Sequence, residues 1–150
     1  MRPERSERKE LWRTEILLDS NVFLEAQLAE RHGKACRQLL EKIRDGVVKA
    51  TITDFHVDSV VVVMENYGKG WKEVVLFLTS LLRCKGLKVY PLGIISRIRA
   101  TTFMRDYGLD FDDALAVQAL KDLSIDTIIS YDDDFDAVKG VKRCVPEDIL

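Results

Sequence analysis

EILLDSNVF, residues 15–23, joins an apolar run, an aspartate and a helix start within nine residues. Ile16, Leu17 and Leu18 form the short continuous apolar run expected of a strand covered on both faces. Asp19 ends that run. Asp-Ser-Asn is a good helix N-terminus, and Val22, Phe23, Ala26 and Leu28 continue at helical spacing. A strand that carries a carboxylate to its own carboxyl end and turns at once into a helix is an opening unit of an open α/β sheet. Such sheets bind ligands at that edge.

The same grammar recurs downstream. Ala35, Leu39, Leu40 and Ile43 mark a second helix, ended by Gly46 with Lys42 and Arg44 in its last turn. VVKATIT (47–53) reads as a strand, and Thr53 or Asp54 caps a helix running towards Asn66 and Tyr67. That helix contains Val60 to Val63, which favour strand by propensity, but the cap and the closing Asn-Tyr-Gly favour helix. Trp71, Val74, Val75, Leu78, Leu81 and Leu82 fall on one face of a further helix and are read as core. LKVYPL (87–92) is a strand, followed by a helical stretch from about Ile94 to Tyr107. Phe111 to Leu123 is a helix with Ala116, Val117, Leu120 and Leu123 inward. DTIIS (126–130) is a strand, DDDFDAV (132–138) a tight turn, VKRCVP (141–146) a last strand, and PEDIL closes the chain. Strands alternating with helices predict a three-layer α/β/α sandwich on a mostly parallel sheet. Residues 14–150 form one domain in this reading, behind a charge-dense tail or short helix over 1–13.

Composition sets bounds. The chain has 150 residues, 47% hydrophobic and 32% charged, the proportions of a globular domain. No run reaches the ~18 apolar residues of a membrane span, and MRPERSERKE lacks a signal-peptide core, so a cytoplasmic protein with no membrane partner is expected. Cys36, Cys84 and Cys144 are far apart and odd in number, which favours buried free thiols over disulfides or a zinc cluster. Between Asp106 and Asp136 stand ten aspartates and one base, Lys121. Bases gather at Arg2, Arg5, Arg8, Lys9 and Arg13, and again from Lys69 to Arg105. An acidic centre with basic surroundings suits a metal site that handles phosphates.

Four aspartates stand at strand ends or helix starts. Asp19 follows the first strand, and Asn21 beside it can hydrogen-bond a neighbouring carboxylate. Asp58 lies one turn inside its helix, before Val61 and Val62, on the side read as apolar. Glu65, seven residues on and roughly 10 Å along the axis, is the alternative second acid, though its position favours a solvated face. Asp113 precedes Ala116 and Val117 and points inward, whereas Asp112 points to solvent as the cap. Asp132 is the first carboxylate past DTIIS, with Asp134 beyond it and Ser130 placed to hydrogen-bond a ligating carboxylate. If these acids converge, their repulsion requires a cation, and oxygen-only ligation suits Mg²⁺ or Mn²⁺. His56, two residues before Asp58, projects to another face, and His32 sits in a loop; both are read as surface or structural.

ILLDSNVFLE, the Thr53-to-Asp58 spacing, the Asp-Ala of DDALAV and IISYDDDF together resemble PIN domains, over about residues 15 to 150. The resemblance implies a metal-dependent ribonuclease fold that includes VapC-type toxins. Asp19 then matches the family's first acid, Asp113 the aspartate of its Asp-Ala pair, Asp132 and Asp134 its [ST]-x-D-x-D-F acids, and Ser130 the hydroxyl there. Asp58 matches a position where the family more often carries glutamate, which keeps Glu65 open. One or two Mg²⁺ or Mn²⁺ ions held by Asp19, Asp58, Asp113 and Asp132 would serve RNA phosphodiester hydrolysis, with Arg97, Arg99 and Arg105 on the RNA backbone. An antitoxin protein and a second copy of the chain are the protein partners implied. A non-cleaving PIN-fold module that binds RNA or protein is the alternative. A haloacid-dehalogenase-like phosphatase needs a second aspartate where Asn21 stands, and a receiver domain needs an acidic pair at the first strand; neither fits.

Overall fold

The structure, a computed structural model, describes Glu4 and residues 14–28 and 31–150. The tail or short helix expected over 1–13 lies outside the described residues, Glu4 apart. Five strands pair in parallel in the order β3-β2-β1-β4-β5: β1 (Ile16–Leu18), β2 (Ala50–Thr53), β3 (Leu87–Tyr90), β4 (Thr127–Ile129) and β5 (Lys142–Cys144). Six helices among the described residues flank the sheet: α1 (Ser20–Leu28), α2 (Gly33–Arg44), α3 (Asp54–Asn66), α4 (Trp71–Leu82), α5 (Ile94–Tyr107) and α6 (Phe111–Leu123). Short 3₁₀ turns cover Asp133–Ala137 and Pro146–Asp148. This is the expected α/β/α sandwich.

β1 is buried on both faces, which is why its sequence is uninterrupted Ile-Leu-Leu. Ile16 and Leu18 join a core with Val22, Phe23, Leu39, Ile43, Val60, Met64 and Phe77, from α1 to α4. Leu17 faces the other way, into a core built with Ala100, Leu115, Val117, Leu120 and Phe135. Each such aliphatic side chain, fully buried, contributes about 1.5–3 kcal/mol. The chain runs outward from β1 to β2 and β3, then returns to place β4 on the other side of β1. The crevice at the carboxyl ends of β1 and β4 is therefore the topological switch point, where open α/β sheets bind ligands.

Two helices carry the site. α6 is buried continuously from Asp113 to Leu120, so its apolar residues surround it, and Ala114, Ala116 and Ala119 let neighbouring elements approach closely. α3 begins at Thr53, whose hydroxyl accepts from His56 N at 3.0 Å. That cap sets the helix against the strand preference of Val60 to Val63. At the foot of the sheet Gly86 N donates to Ile43 O at 2.9 Å, and a Cβ there would lie 2.2 Å from the Val48 carbonyl oxygen. Only glycine allows this approach.

α4 corrects the reading of its core face. Phe77 and Leu81 are buried and Val74 is half-buried, whereas Trp71 (73%), Val75, Leu78 and Leu82 (88%) are exposed. Apolar residues occupy two sides of this helix, so spacing alone is satisfied by two phases. Phe77 decides between them by packing edge-on against Phe23, ring centroids 5.7 Å apart. Cys36 and Cys144 are buried free thiols as expected, while Cys84 is half-exposed. Phe77→Ala should cost about 3–5 kcal/mol, and Leu82→Ala should stay within about 0.5 kcal/mol. Urea denaturation of the two variants checks the assignment.

Candidate functional site

Asp19 lies just past β1, its backbone N–H donating to Ile129 O of β4 at 3.0 Å. Its buried carboxylate accepts from Ser130 Oγ at 2.6 Å, Ser20 N at 2.7 Å and Asn21 Nδ2 at 3.2 Å. Burial raises its pKa, while the Ser130 bond, the His56 charge and the Ser20 N–H pull the other way. Ser130 Oγ also accepts from Asn21 Nδ2 at 3.1 Å and from Asp132 N at 3.0 Å. One hydroxyl thus uses its donor and both acceptor positions to tie the end of β1 to the end of β4.

Asp132 caps the following 3₁₀ turn, accepting from Asp134 N at 2.9 Å. Arg143 of β5 grips the same turn with paired bonds to Asp136 at 2.9 and 3.0 Å and donates to Ser130 O at 3.2 Å. Asp113 sits in the first turn of α6, buried, where the helix dipole favours negative charge. Burial, then the charges of Asp132, Asp110 and Asp19, push its pKa up to about 8. Asp134 is exposed at the rim and raised chiefly by Asp132. Oxygen atoms of Asp113, Asp132 and Asp134 lie within 4.8 Å of one another.

The opposite wall differs from the sequence-based expectation. α3 turns Asp58 to solvent, and Glu65 is exposed as well. Asp58 stands outside both groups of ligand-capable side chains found among the described residues. The inward residues of α3 are His56, Val57, Val60 and Met64, not the side marked by Val61 and Val62. His56 is the residue delivered to the cleft, 1% exposed, where it makes a second group with Asp19 and Asp112, ligand atoms again within 4.8 Å. Asp112 does not cap α6: Asp110 does, its carboxylate accepting from Asp113 N at 3.0 Å. Asp112 instead sets Oδ1 2.6 Å from His56 Nε2. The contact is close but off the hydrogen-bonding direction, so this buried oxygen has no good hydrogen-bond partner, and neither does Asn21 Oδ1. Burial opposes the charging of His56, but Asp112 and Asp19 raise its pKa above the ordinary value.

Among the arginines expected to meet RNA, Arg97 is half-buried and donates to Leu92 O, and Arg105 is paired with Asp106 at 2.8 Å. Arg99 is exposed on α5. His32 fits its structural reading, stacked on Tyr131 with centroids 4.0 Å apart and 3.3 Å from Glu147.

Crowded carboxylates, with buried Asp113 pushed up to about 8, and buried oxygens without a hydrogen-bond partner on both Asp112 and Asn21 fit a divalent cation. Residues 16–141 match the PIN domain model, so the chain belongs to the PIN domain family. Solved structures share the fold at low identity. VapC20 of Mycobacterium tuberculosis, described as a sarcin-ricin loop cleaving toxin, is 13% identical, with 81% of this chain and 93% of that chain covered at a TM-score of 0.67. A toxin–antitoxin complex from Klebsiella pneumoniae is 17% identical, covering 87% and 97%, TM-score 0.62. FitAcB of Neisseria gonorrhoeae is 19% identical, covering 88% and 98%, TM-score 0.62. No curated protein matches the chain by sequence.

Asp113 makes stability depend on pH in a defined direction. Its folded pKa lies above its unfolded value, so the folded state binds the extra proton and loses stability as pH rises from about 4 to about 8. Asp113→Asn should therefore raise the melting temperature at pH 8 in metal-free buffer, by a gain on the order of a few kcal/mol, and change little at pH 4. Calorimetry at the two pH values checks this.

Proposed function

We propose that the chain is a divalent-metal-dependent endoribonuclease of the cytoplasm, the toxin of a toxin–antitoxin pair. The observation that carries the reading is the crowding of acids at the switch point: Asp113 groups with Asp132 and Asp134, Asp19 groups with Asp112 and His56, and the charges of Asp132 and Asp19 help to push Asp113 up to about 8. A Mg²⁺ or Mn²⁺ ion held here would supply Lewis acidity and lower the pKa of a bound water. Asp113 and Asp132 would hold it on one wall, with Asp134 beside them at the rim. Asp19 would hold it from the other wall, with Oδ2 oriented by Ser130 and Asn21 and Oδ1 by Ser20 N. Arg99, exposed on α5, is the arginine of that helix proposed for an RNA phosphate. Asp58 has no role in the chemistry under this reading.

The membership of the PIN family and the fold shared with toxin structures support the reading. No helix among the described residues is long and apolar enough to cross a membrane. The antitoxin proposal draws on a cleft of about 530 Å³ between α1, α2 and α4, lined by Phe23, Leu40, Leu76 and Phe77, with Arg37, Arg44 and Arg83 beside Glu41 at its rim. An amphipathic acidic segment fits that lining. The outward stripe of Trp71, Val75, Leu78 and Leu82 offers apolar surface for pairing with a second copy.

Purified protein incubated with a mixed RNA panel should cleave in Mg²⁺ or Mn²⁺ and stop on chelation. Asp113→Asn and Asp132→Asn should each reduce the rate at least about a hundredfold, the scale expected when a group acting in the transition state is removed. Circular dichroism should show the fold retained. Asp58→Asn should remain within a few-fold of wild type. Cleavage that survives EDTA, or that Asp113→Asn leaves intact, overturns the reading.

A further inference from the structure

His56 is buried against the cleft with both ring nitrogens engaged. Its ring is 1% exposed and its Nδ1 is hydrogen-bonded to Thr53 Oγ1. Thr53 Oγ1 already accepts from His56 N, and a hydroxyl can either donate to Nδ1 or accept from it. The ring can therefore present to the cleft either an N–H or a lone pair at Nε2. On that side Nε2 donates to Asp112 O at 3.2 Å, a bond the ring would give up on binding a metal, and Asp112 Oδ1 stands at 2.6 Å without hydrogen-bond geometry. The Asp19 carboxylate completes the group, all three ligand atoms within 4.8 Å. Two bonds of about 2.0–2.2 Å span at most about 4.4 Å, so a small closure of the group brings its ligand atoms onto one ion.

We propose that His56 Nε2 is a metal ligand beside Asp19 and Asp112, and that it turns the centre towards first-row transition-metal ions in preference to Mg²⁺. This rests on the metal-dependent reading above and goes beyond it by changing the donor set. Mg²⁺ is a hard ion that takes oxygen donors and dehydrates reluctantly, whereas imidazole nitrogen suits the later divalent metals. Thr53 is the outer partner that orients the ring, as metal-bound histidines generally have at their second nitrogen.

Two measurements with Mn²⁺ and Mg²⁺ test the proposal on the full chain. Pulsed electron paramagnetic resonance of bound Mn²⁺ should show coupling to a directly bound imidazole ¹⁴N in the wild-type protein. The only other histidine, His32, is engaged with Tyr131 and Glu147. Calorimetric titration should give a Mn²⁺-over-Mg²⁺ affinity ratio that falls about tenfold or more in His56→Gln. Mn²⁺ binding without nitrogen coupling, or with an unchanged ratio in His56→Gln, overturns the ligand role and leaves the nuclease reading standing. Failure of wild-type protein to bind either ion overturns both. The wild-type spectrum decides the question even if His56→Gln does not fold.

Discussion

A buried carboxylate costs several kcal/mol unless hydrogen bonds or a cation compensate it, and this chain buries Asp19 and Asp113 at one crevice. The two are treated differently. Asp19 is surrounded by donors from Ser20, Asn21 and Ser130, which hold it in place while burial raises its pKa. Asp113 faces other carboxylates and is pushed up to about 8. One wall is thus prearranged by hydrogen bonds and the other is left under repulsive strain. A cation would relieve the repulsion around Asp113 and find Asp19 already aligned.

The fold exists to hold that asymmetry. β1 and β4 are three-residue strands with no exposed residue, and their adjacency is fixed by cores on both faces of the sheet. α6 is enclosed along most of its length, so the first turn that carries Asp112 and Asp113 cannot shift without disturbing Leu115, Val117 and Leu120. Side chains locked by packing give a site its precision, and the least mobile elements here carry the acids.

Much of this was legible in the sequence, for physical reasons. A strand buried on both faces needs an unbroken apolar run, so Ile16–Leu18 and Thr127–Ile129 announced themselves, and with them the positions of Asp19 and Asp132. Asp113 followed from helical spacing to Ala116 and Val117. α3 misled because four consecutive valines carry no phase: Val60 is buried while Val62 is exposed. The usable signal was the cap, since Thr53 bonds the N–H three residues on and thereby fixes His56 at the inner face. Asp112 was misread because three aspartates crowd the start of α6 and spacing cannot say which of them caps it. The two-sided apolar surface of α4 failed for a related reason: periodicity reports that a helix has a face, and only a partner such as Phe23 selects which.

Arg143 gives the rim of the sheet a hold on its centre. It stands on β5, the outermost strand beside β4, yet its guanidinium clamps Asp136 of the acidic turn and the carbonyl of Ser130. Loss of that strand would remove the guanidinium that holds both the acidic turn, through Asp136, and the Ser130 carbonyl at the end of β4. The backbone carrying Ser130 and Asp132 is thus braced from the margin of the sheet as well as from within the cleft.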